Sequence, residues 1–225
     1  MPRSADAPTL VDVYLEVGAK RVFASALAWP GWTRSGRSEE AAVEALAVYT
    51  PRFAPVATRA GLTPPAVAGP ADFAVVERVT GNASTEFGVP GLAAAADREP
   101  LDVDAADRLA GLVGAAWSLF DEIVAVAPAE LRKGPRGGGR DRDKIVGHVL
   151  DAEGAYVRKI GLRTPAPAAG DRPAVDAHRA AILAVLVRPT DGSPPVDNGW
   201  LVPYAARRIA WHVLDHGWEI EDRTG

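Results

Sequence analysis

Three of the four histidines in this 225-residue chain have the spacing expected of a metal site built on helices. His212 and His216 are four residues apart, so both imidazoles lie on one helix face, one turn from each other. His148 belongs to a separate apolar stripe, where a lone imidazole would need a hydrogen-bond partner. Three neutral imidazoles can hold a divalent transition metal and leave positions open for water or substrate. We therefore predict a metal site of His148, His212 and His216; a chance pair on an exposed helix is the alternative.

Charged residues share the faces that carry these histidines. Arg208 lies one turn before His212, Glu219 lies seven residues after it, and Asp151 lies three residues after His148. Glu219 or Asp151 is predicted to orient an imidazole, to act as a fourth ligand or to serve as general base. Arg208 is predicted to bind a substrate carboxylate. Ordinary pairing of these charges on a partly solvated face is the alternative interpretation.

The composition excludes several classes of chemistry. The chain has no cysteine, which rules out disulfides, thiolate ligands, iron–sulfur clusters and a cysteine nucleophile, so any sulfur chemistry needs an external thiol. A formal charge of -4 and a pI near 5.6 argue against bulk attraction to nucleic acid or to an anionic membrane. No apolar run is expected to approach the roughly 20 residues of a membrane span, and the start lacks a signal-peptide core. These features predict a cytoplasmic protein.

The first part of the chain alternates with a period of two and predicts a small α+β unit over residues 1–91. Strands are predicted at residues 11–17, 20–27, 33–35 and 73–79. Residues 11–17 should be half-buried, with Tyr14 and Glu16 on the polar face. Ser38 is the expected N-cap of a helix through Tyr49 that Pro51 ends or kinks. The predicted order is ββ(β)αβ.

After residue 91 the apolar period changes to 3.6, which predicts a helical bundle over residues 92–225. The first helix should begin at Asp102 or Asp104 and end before Pro128. Three further helices are predicted, at about residues 141–160, 173–187 and 203–223. A bundle of this kind can carry a metal site between facing helices. The predicted fold class is therefore α+β, with a small first domain followed by a four-helix bundle.

A glycine-rich segment at residues 134–140 precedes the second of these helices. It lacks the Gly-Lys-Ser/Thr ending of a phosphate loop, so a flexible connector is the preferred interpretation. Arg140 and Arg142 are predicted to guide an anionic substrate or cofactor toward the N-terminus of the helix. His178, in the third helix, is predicted to be structural or to face the substrate rather than to bind metal.

The histidine segments resemble those of the DinB-like superfamily. The resemblance lies in His148-Val-Leu-Asp-Ala-Glu-Gly-Ala-Tyr156 and Trp211-His-Val-Leu-Asp-His-Gly-Trp218, and covers about residues 102–223. It implies an up-down-down-up four-helix bundle whose histidine triad binds zinc, nickel or another divalent ion. Relatives include mycothiol-dependent maleylpyruvate isomerase, so the resemblance implies a transferase or isomerase that uses a small thiol such as mycothiol or bacillithiol. The implied partner is a small electrophile or anionic substrate.

The first unit resembles the HicB-type antitoxin fold. The resemblance lies in Phe23-Ala-Ser-Ala-Leu-Ala-Trp-Pro-Gly-Trp32 and Ser35-Gly-Arg-Ser-Glu-Glu-Ala-Ala42, and covers about residues 11–46. A structural use is favoured, because an acidic chain without a visible basic stripe is a poor RNA binder. The alternative to an enzyme is a non-catalytic interaction or regulatory protein, in which the bundle forms a homodimer and the HicB-like domain binds a partner.

Overall fold

A computed structural model describes residues 10–134 and 138–224 and has a mixed α+β fold. Four strands form one sheet in the order β3-β2-β1-β4. Their bounds are Val11–Val17 for β1, Val22–Ala26 for β2, Thr33–Gly36 for β3 and Phe73–Thr80 for β4. The first three strands are antiparallel neighbours, whereas β4 runs parallel to β1. All four predicted strands are present.

The half-buried character predicted for β1 is wrong, because both faces of the strand are covered. Glu16 is 0% exposed, and its carboxylate accepts hydrogen bonds from the backbone N–H of Gly91 at 3.2 Å and of Leu92 at 2.9 Å. Tyr14 is also buried, and its hydroxyl donates to the Leu92 carbonyl at 3.0 Å. The segment around the short helix α3 (Ala83–Phe87) therefore covers the face that we expected to meet water.

The single helix predicted after Ser38 is two helices, α1 (Glu39–Val48) and α2 (Thr50–Arg59). The Ser38 hydroxyl accepts a hydrogen bond from the Ala41 N–H at 3.2 Å, which confirms the predicted N-cap. Pro51 occupies the first turn of α2. A proline is tolerated there because the first-turn N–H groups have no partner within the helix. Pro51 therefore begins a helix as well as separating it from the previous one.

Four long helices follow, close to the predicted positions. They are α4 (Val103–Val126), α5 (Arg142–Tyr156), α6 (Arg172–Leu186) and α7 (Val202–Asp222). Asp102 caps α4, because its side chain accepts from the Ala105 N–H at 2.8 Å. The α5 helix ends earlier than predicted, since residues Val157–Ile160 tighten into a 3₁₀ turn closed by Gly161 at a φ of 87°. The α7 helix packs against both α4 and α5.

The α4 helix departs from one expectation. By length and composition alone it could cross a membrane, with a mean hydropathy of 1.6 over its most apolar 18 residues. Half of that window is buried inside the protein, and Leu112, Val113 and Phe120 are among its core side chains. Burial of this kind is typical of the core helix of a soluble protein, so the helix is weak support for a membrane span.

The sheet and the long helices share one hydrophobic core. Leu15 of β1 and Phe53 of α2 belong to the same buried cluster as Phe120 of α4 and Trp218 of α7. The indole of Trp32 stacks on the Phe53 ring with a centroid distance of 5.1 Å. The division into residues 1–91 and 92–225 stays a prediction; in the described residues the two segments are packed together.

Candidate metal centre

The structure brings the three predicted ligands together between α5 and α7. His148 lies on α5, and its ring centroid is 5.1 Å from that of His212 and 4.9 Å from that of His216. The two histidines of α7 are 4.7 Å apart by the same measure. One ring nitrogen from each histidine can be chosen so that all three atoms lie within 4.8 Å of one another. Three side chains close together in this way can hold a metal ion.

Burial of the triad is uneven and leaves one nitrogen in need of a partner. His212 is 7% exposed, whereas His148 and His216 are half-buried. The Nδ1 atom of His212 is buried and has no hydrogen-bond partner among the described residues. A buried polar atom without a partner is costly and calls for an explanation. A cation between three imidazoles fits both the donor atoms and the incomplete shell.

The electrostatics keep two of the imidazoles neutral. Burial, followed by the charges of His216 and Arg208, lowers the pKa of His212 to about 2. Burial, followed by His216 and Arg140, also lowers the pKa of His148. Both imidazoles are therefore neutral near pH 7, which is the form that binds a metal.

Glu219 orients His216. The Nδ1–H of His216 donates to Glu219 Oε2 at 2.8 Å, which leaves Nε2 as the lone-pair donor. This hydrogen bond is the main reason why the pKa of Glu219 is lowered. Carboxylates that accept from the second ring nitrogen fix the tautomer of a ligand histidine. Of the three roles predicted for Glu219, the geometry favours orientation of an imidazole.

Arg223 extends this chain of contacts, and sequence reasoning missed it. Its Nη1 donates to Glu219 Oε1 at 2.7 Å, and its Nε donates to the Arg132 carbonyl at 2.9 Å. Gly139, at a φ of 115°, packs against the guanidinium so closely that an added Cβ would lie 2.6 Å from Nη2. The i, i+4 spacing from Glu219 was the available signal. Arg223 therefore connects His216 to the segment that precedes α5.

Arg208 lies beside the triad, as its place on the His212 face predicted. Its Nη2 donates to the Tyr156 hydroxyl at 3.0 Å, and its guanidinium lies 4.9 Å from the centroid of the Trp211 ring. Its Nη1 is buried and has no partner in the described part of the chain. The Tyr156 ring is 5.7 Å from His212, and burial raises the pKa of the Tyr156 hydroxyl. A cationic fork and a protonated phenol therefore border the triad.

The other predicted site residues, Asp151, Arg140 and Arg142, differ in their relation to the triad. Asp151 is exposed, and its charge favours the protonated form of His148 without a described hydrogen bond between them. The charge of Arg140 contributes to the lowered pKa of both His148 and His212. Arg142 instead donates to the Ala127 carbonyl at 2.7 Å and to Asp143 at 2.8 Å. These hydrogen bonds hold Arg142 at the end of α4 and on its own helix rather than at the triad.

Two further sequence predictions concern His178 and the glycine-rich connector. His178 is buried on α6, with its Nδ1 3.4 Å from the Thr164 hydroxyl, and it is not a member of the histidine group. Residues 135–137 of the predicted glycine-rich connector lie outside the described residues.

No protein-family model, no curated protein and no solved structure matches the chain.

Proposed function

We propose that this protein is a divalent-metal-dependent enzyme of the DinB-like type, a transferase or isomerase that uses a low-molecular-weight thiol. One observation carries the proposal: three imidazoles, one of them with a buried and unpartnered nitrogen in the described structure, converge within 4.8 Å. Three nitrogen ligands are typical of catalytic zinc sites, with nickel as the alternative metal. The proposal includes the DinB-like bundle, a cytoplasmic location and mycothiol or bacillithiol as cosubstrate.

The residues around the triad support a reaction on an anionic electrophile. A divalent cation held by the triad would polarise a carbonyl and lower the pKa of a coordinated water or thiol. Arg208 can bind a carboxylate of the substrate through its Nη1, and Glu219 holds His216 in the ligand tautomer. The protonated Tyr156 hydroxyl can donate a hydrogen bond to a neighbouring oxygen atom. Because the chain has no cysteine, the thiol must be supplied from outside.

The metal is tested first. The purified protein should bind about one zinc ion per chain, and His148→Ala, His212→Ala and His216→Ala should each weaken zinc binding by about a hundredfold or more. Chelator competition and elemental analysis measure this. His178→Ala is the matched control, because His178 is a buried histidine outside the triad. Full zinc retention in all three triad variants would contradict the site.

Activity is tested on protein that holds its metal. Mycothiol or bacillithiol with a haloarene or a cis-unsaturated diacid should give metal-dependent turnover that His212→Ala abolishes. Arg208→Ala should mainly raise KM for anionic substrates, because it removes binding shared by the ground and transition states. Arg142→Ala is the control, since Arg142 binds Ala127 and Asp143 instead. A broad thiol and electrophile screen without turnover would favour the non-catalytic, regulatory alternative.

A further inference from the structure

A polar cavity lies between the sheet and the face of α7 next to the triad. Its volume is about 160 Å³. Side chains from β3, from the β1–β2 connection and from α7 line it, and they include Arg21, Thr33, Arg34, Ser35, Trp211 and Asp215. Trp211 and Asp215 immediately precede His212 and His216 in sequence. The cavity therefore borders the helix face that carries two of the ligands.

The charges in this cavity do not balance. Arg34 Nη1 forms an ion pair with Asp215 Oδ1 at 2.9 Å, and the Arg34 guanidinium lies 4.0 Å from the centroid of the Tyr49 ring, which holds it in place. Arg21 Nη1 donates only a long hydrogen bond, 3.3 Å, to the Ser35 hydroxyl. Within the described residues Arg21 has no carboxylate partner, so the two guanidiniums face one carboxylate. The lining carries a net positive charge.

The cavity and the triad are neighbours but separate, because His148, His212 and His216 are not among the residues that line the cavity. The Trp211 ring lies between them, with its centroid 6.0 Å from that of His212 and 6.2 Å from that of Phe23 at the cavity wall. A volume of about 160 Å³ corresponds to roughly five water molecules at about 30 Å³ each. A carboxylate with a short carbon stem fits this space, whereas a nucleotide does not.

We propose that this cavity binds the carboxylate of a small organic acid, with Arg21 as its main cationic partner and the Ser35 hydroxyl as a second donor. This binding does not depend on the proposed metal-dependent function, because the cavity shares no lining residue with the triad.

Anion binding is tested on metal-free protein, with succinate as the probe. Calorimetric titration should show saturable binding that Arg21→Gln weakens by about tenfold or more, because a charged hydrogen bond to the carboxylate is lost. Arg21→Lys should recover part of the affinity, and Ser35→Ala should reduce it by a smaller factor. Arg78→Gln is the matched control, since Arg78 belongs to the same sheet and is paired with Glu39 outside the cavity.

The same titration separates this site from the metal centre. Succinate affinity equal in the wild type, Arg21→Gln and Arg78→Gln would overturn the inference while leaving zinc binding and turnover intact. Arg21-dependent succinate binding in a protein that binds no zinc would instead support the anion site and contradict the proposed metal centre.

Discussion

The α7 helix carries two polar sites that meet burial in opposite ways. On one face Arg207 Nη2 donates to Asp97 Oδ2 at 2.6 Å, and the two side chains are 4% and 1% exposed. Starting five residues later, His212 and His216 approach His148 from another face of the helix. The first site is a complete ion pair, whereas in the second the buried Nδ1 of His212 has no partner in the described residues. A buried polar group on this helix is therefore structural where its partner belongs to the chain, and is available to a ligand where it has no such partner.

The surroundings of the two sites reinforce this contrast. Although burial opposes it, Tyr14 and Asp97 raise the pKa of Arg207, so the guanidinium is charged inside the protein. Asp97 also accepts the Ala94 N–H at 2.8 Å, and Arg207 lies 5.2 Å from the centroid of the Tyr14 ring. The pair connects the 3₁₀ turn Ala95–Arg98 to α7, and the Tyr14 contact connects α7 to the sheet. The triad has the reverse character, since burial first of all lowers the pKa of His212.

Glu153 of α5 is an intermediate case. Its Oε1 accepts from the Trp117 indole N–H at 2.6 Å, but its Oε2 is buried and, within residues 10–134 and 138–224, has no hydrogen-bond partner. The nearest cation, Arg179 Nε, is 3.9 Å away. Burial raises the pKa of Glu153 to about 7. Only one of its two oxygens has a hydrogen-bond partner, so this carboxyl is intermediate in hydrogen bonding between the Arg207–Asp97 pair and His212.

The largest effect should come from breaking the paired site. Asp97→Ala leaves Arg207 buried and unpaired, and should lower the free energy of unfolding by about 3 to 5 kcal/mol. Urea denaturation measures the loss. Adding Arg207→Leu to Asp97→Ala should recover part of it, because the unpaired charge is removed. A loss below about 1 kcal/mol in Asp97→Ala would show that the pair is not structural.

Glu153→Gln should stabilise the protein in a pH-dependent way. The unfolded carboxyl releases its proton above its ordinary pKa of 4.5, whereas the folded one keeps it to about pH 7, so wild-type stability falls as pH rises through this window. Relative to pH 5, the variant should gain on the order of 2 kcal/mol at pH 8. Denaturation at both pH values measures the gain. Glu130→Gln, at an exposed carboxylate, is the control for the loss of one negative charge.

Removing the orienting carboxylate should weaken the metal site without abolishing it. Glu219→Ala should lower zinc affinity by about tenfold to a hundredfold, because His216 loses the acceptor of its Nδ1–H. Arg223→Gln should act in the same direction, and Arg223→Lys should restore part of the affinity. Glu221→Ala is the control, since Glu221 lies on the same helix and pairs with Arg52. Equal losses in Glu219→Ala and Glu221→Ala would contradict the orienting role.

The smallest effect concerns metal-free protein in acid. The unfolded His212 gains a proton below its ordinary pKa of 6.5, while the folded imidazole, with a pKa of about 2, does not. Stability is therefore present above about pH 6.5 and falls by about 1 kcal/mol per pH unit below it. The measurement is best made between pH 6 and pH 5 in a Glu153→Gln background, which removes the opposing effect of Glu153. His212→Gln should reduce the slope and leave the smaller part that comes from His148, and an unchanged slope would sink the assignment.

Sequence patterns predicted the features that depend on neighbouring residues. The alternation in β1, the cap at Ser38 and the i, i+4 spacing of His212 and His216 were all interpreted correctly as to element and position, because each depends on residues within one turn or one strand. The approach of His148 to that pair was also predicted, since its stripe is apolar. The structure confirms that these three side chains can hold one ion.

The features that the sequence analysis missed depend on contacts between distant residues, or on a proline that is compatible with either end of a helix. Pro51 can end one helix or begin the next, and its type alone does not distinguish the two. The packing of Phe53 in the core stabilises the second helix, α2. Glu16 has the pattern of an exposed strand position, because one backbone N–H that donates to its buried carboxylate lies 75 residues away, at Gly91. The pairing of Arg207 with Asp97 spans 110 residues. No spacing rule connects positions so far apart.

Ion pairs join the first unit to α7, the last described helix to be synthesised, so the triad forms late in biosynthesis. Arg34 of β3 binds Asp215 across 181 positions, and Arg52 of α2 binds Asp222 across 170. At about 5 to 20 residues per second, roughly 10 to 35 s separate the synthesis of Arg34 from that of its partner. α7 is the last of the described elements to be made, and it supplies two of the three ligands. Any metal held by the triad must therefore wait for this helix, because two of the three ligands are not made before it.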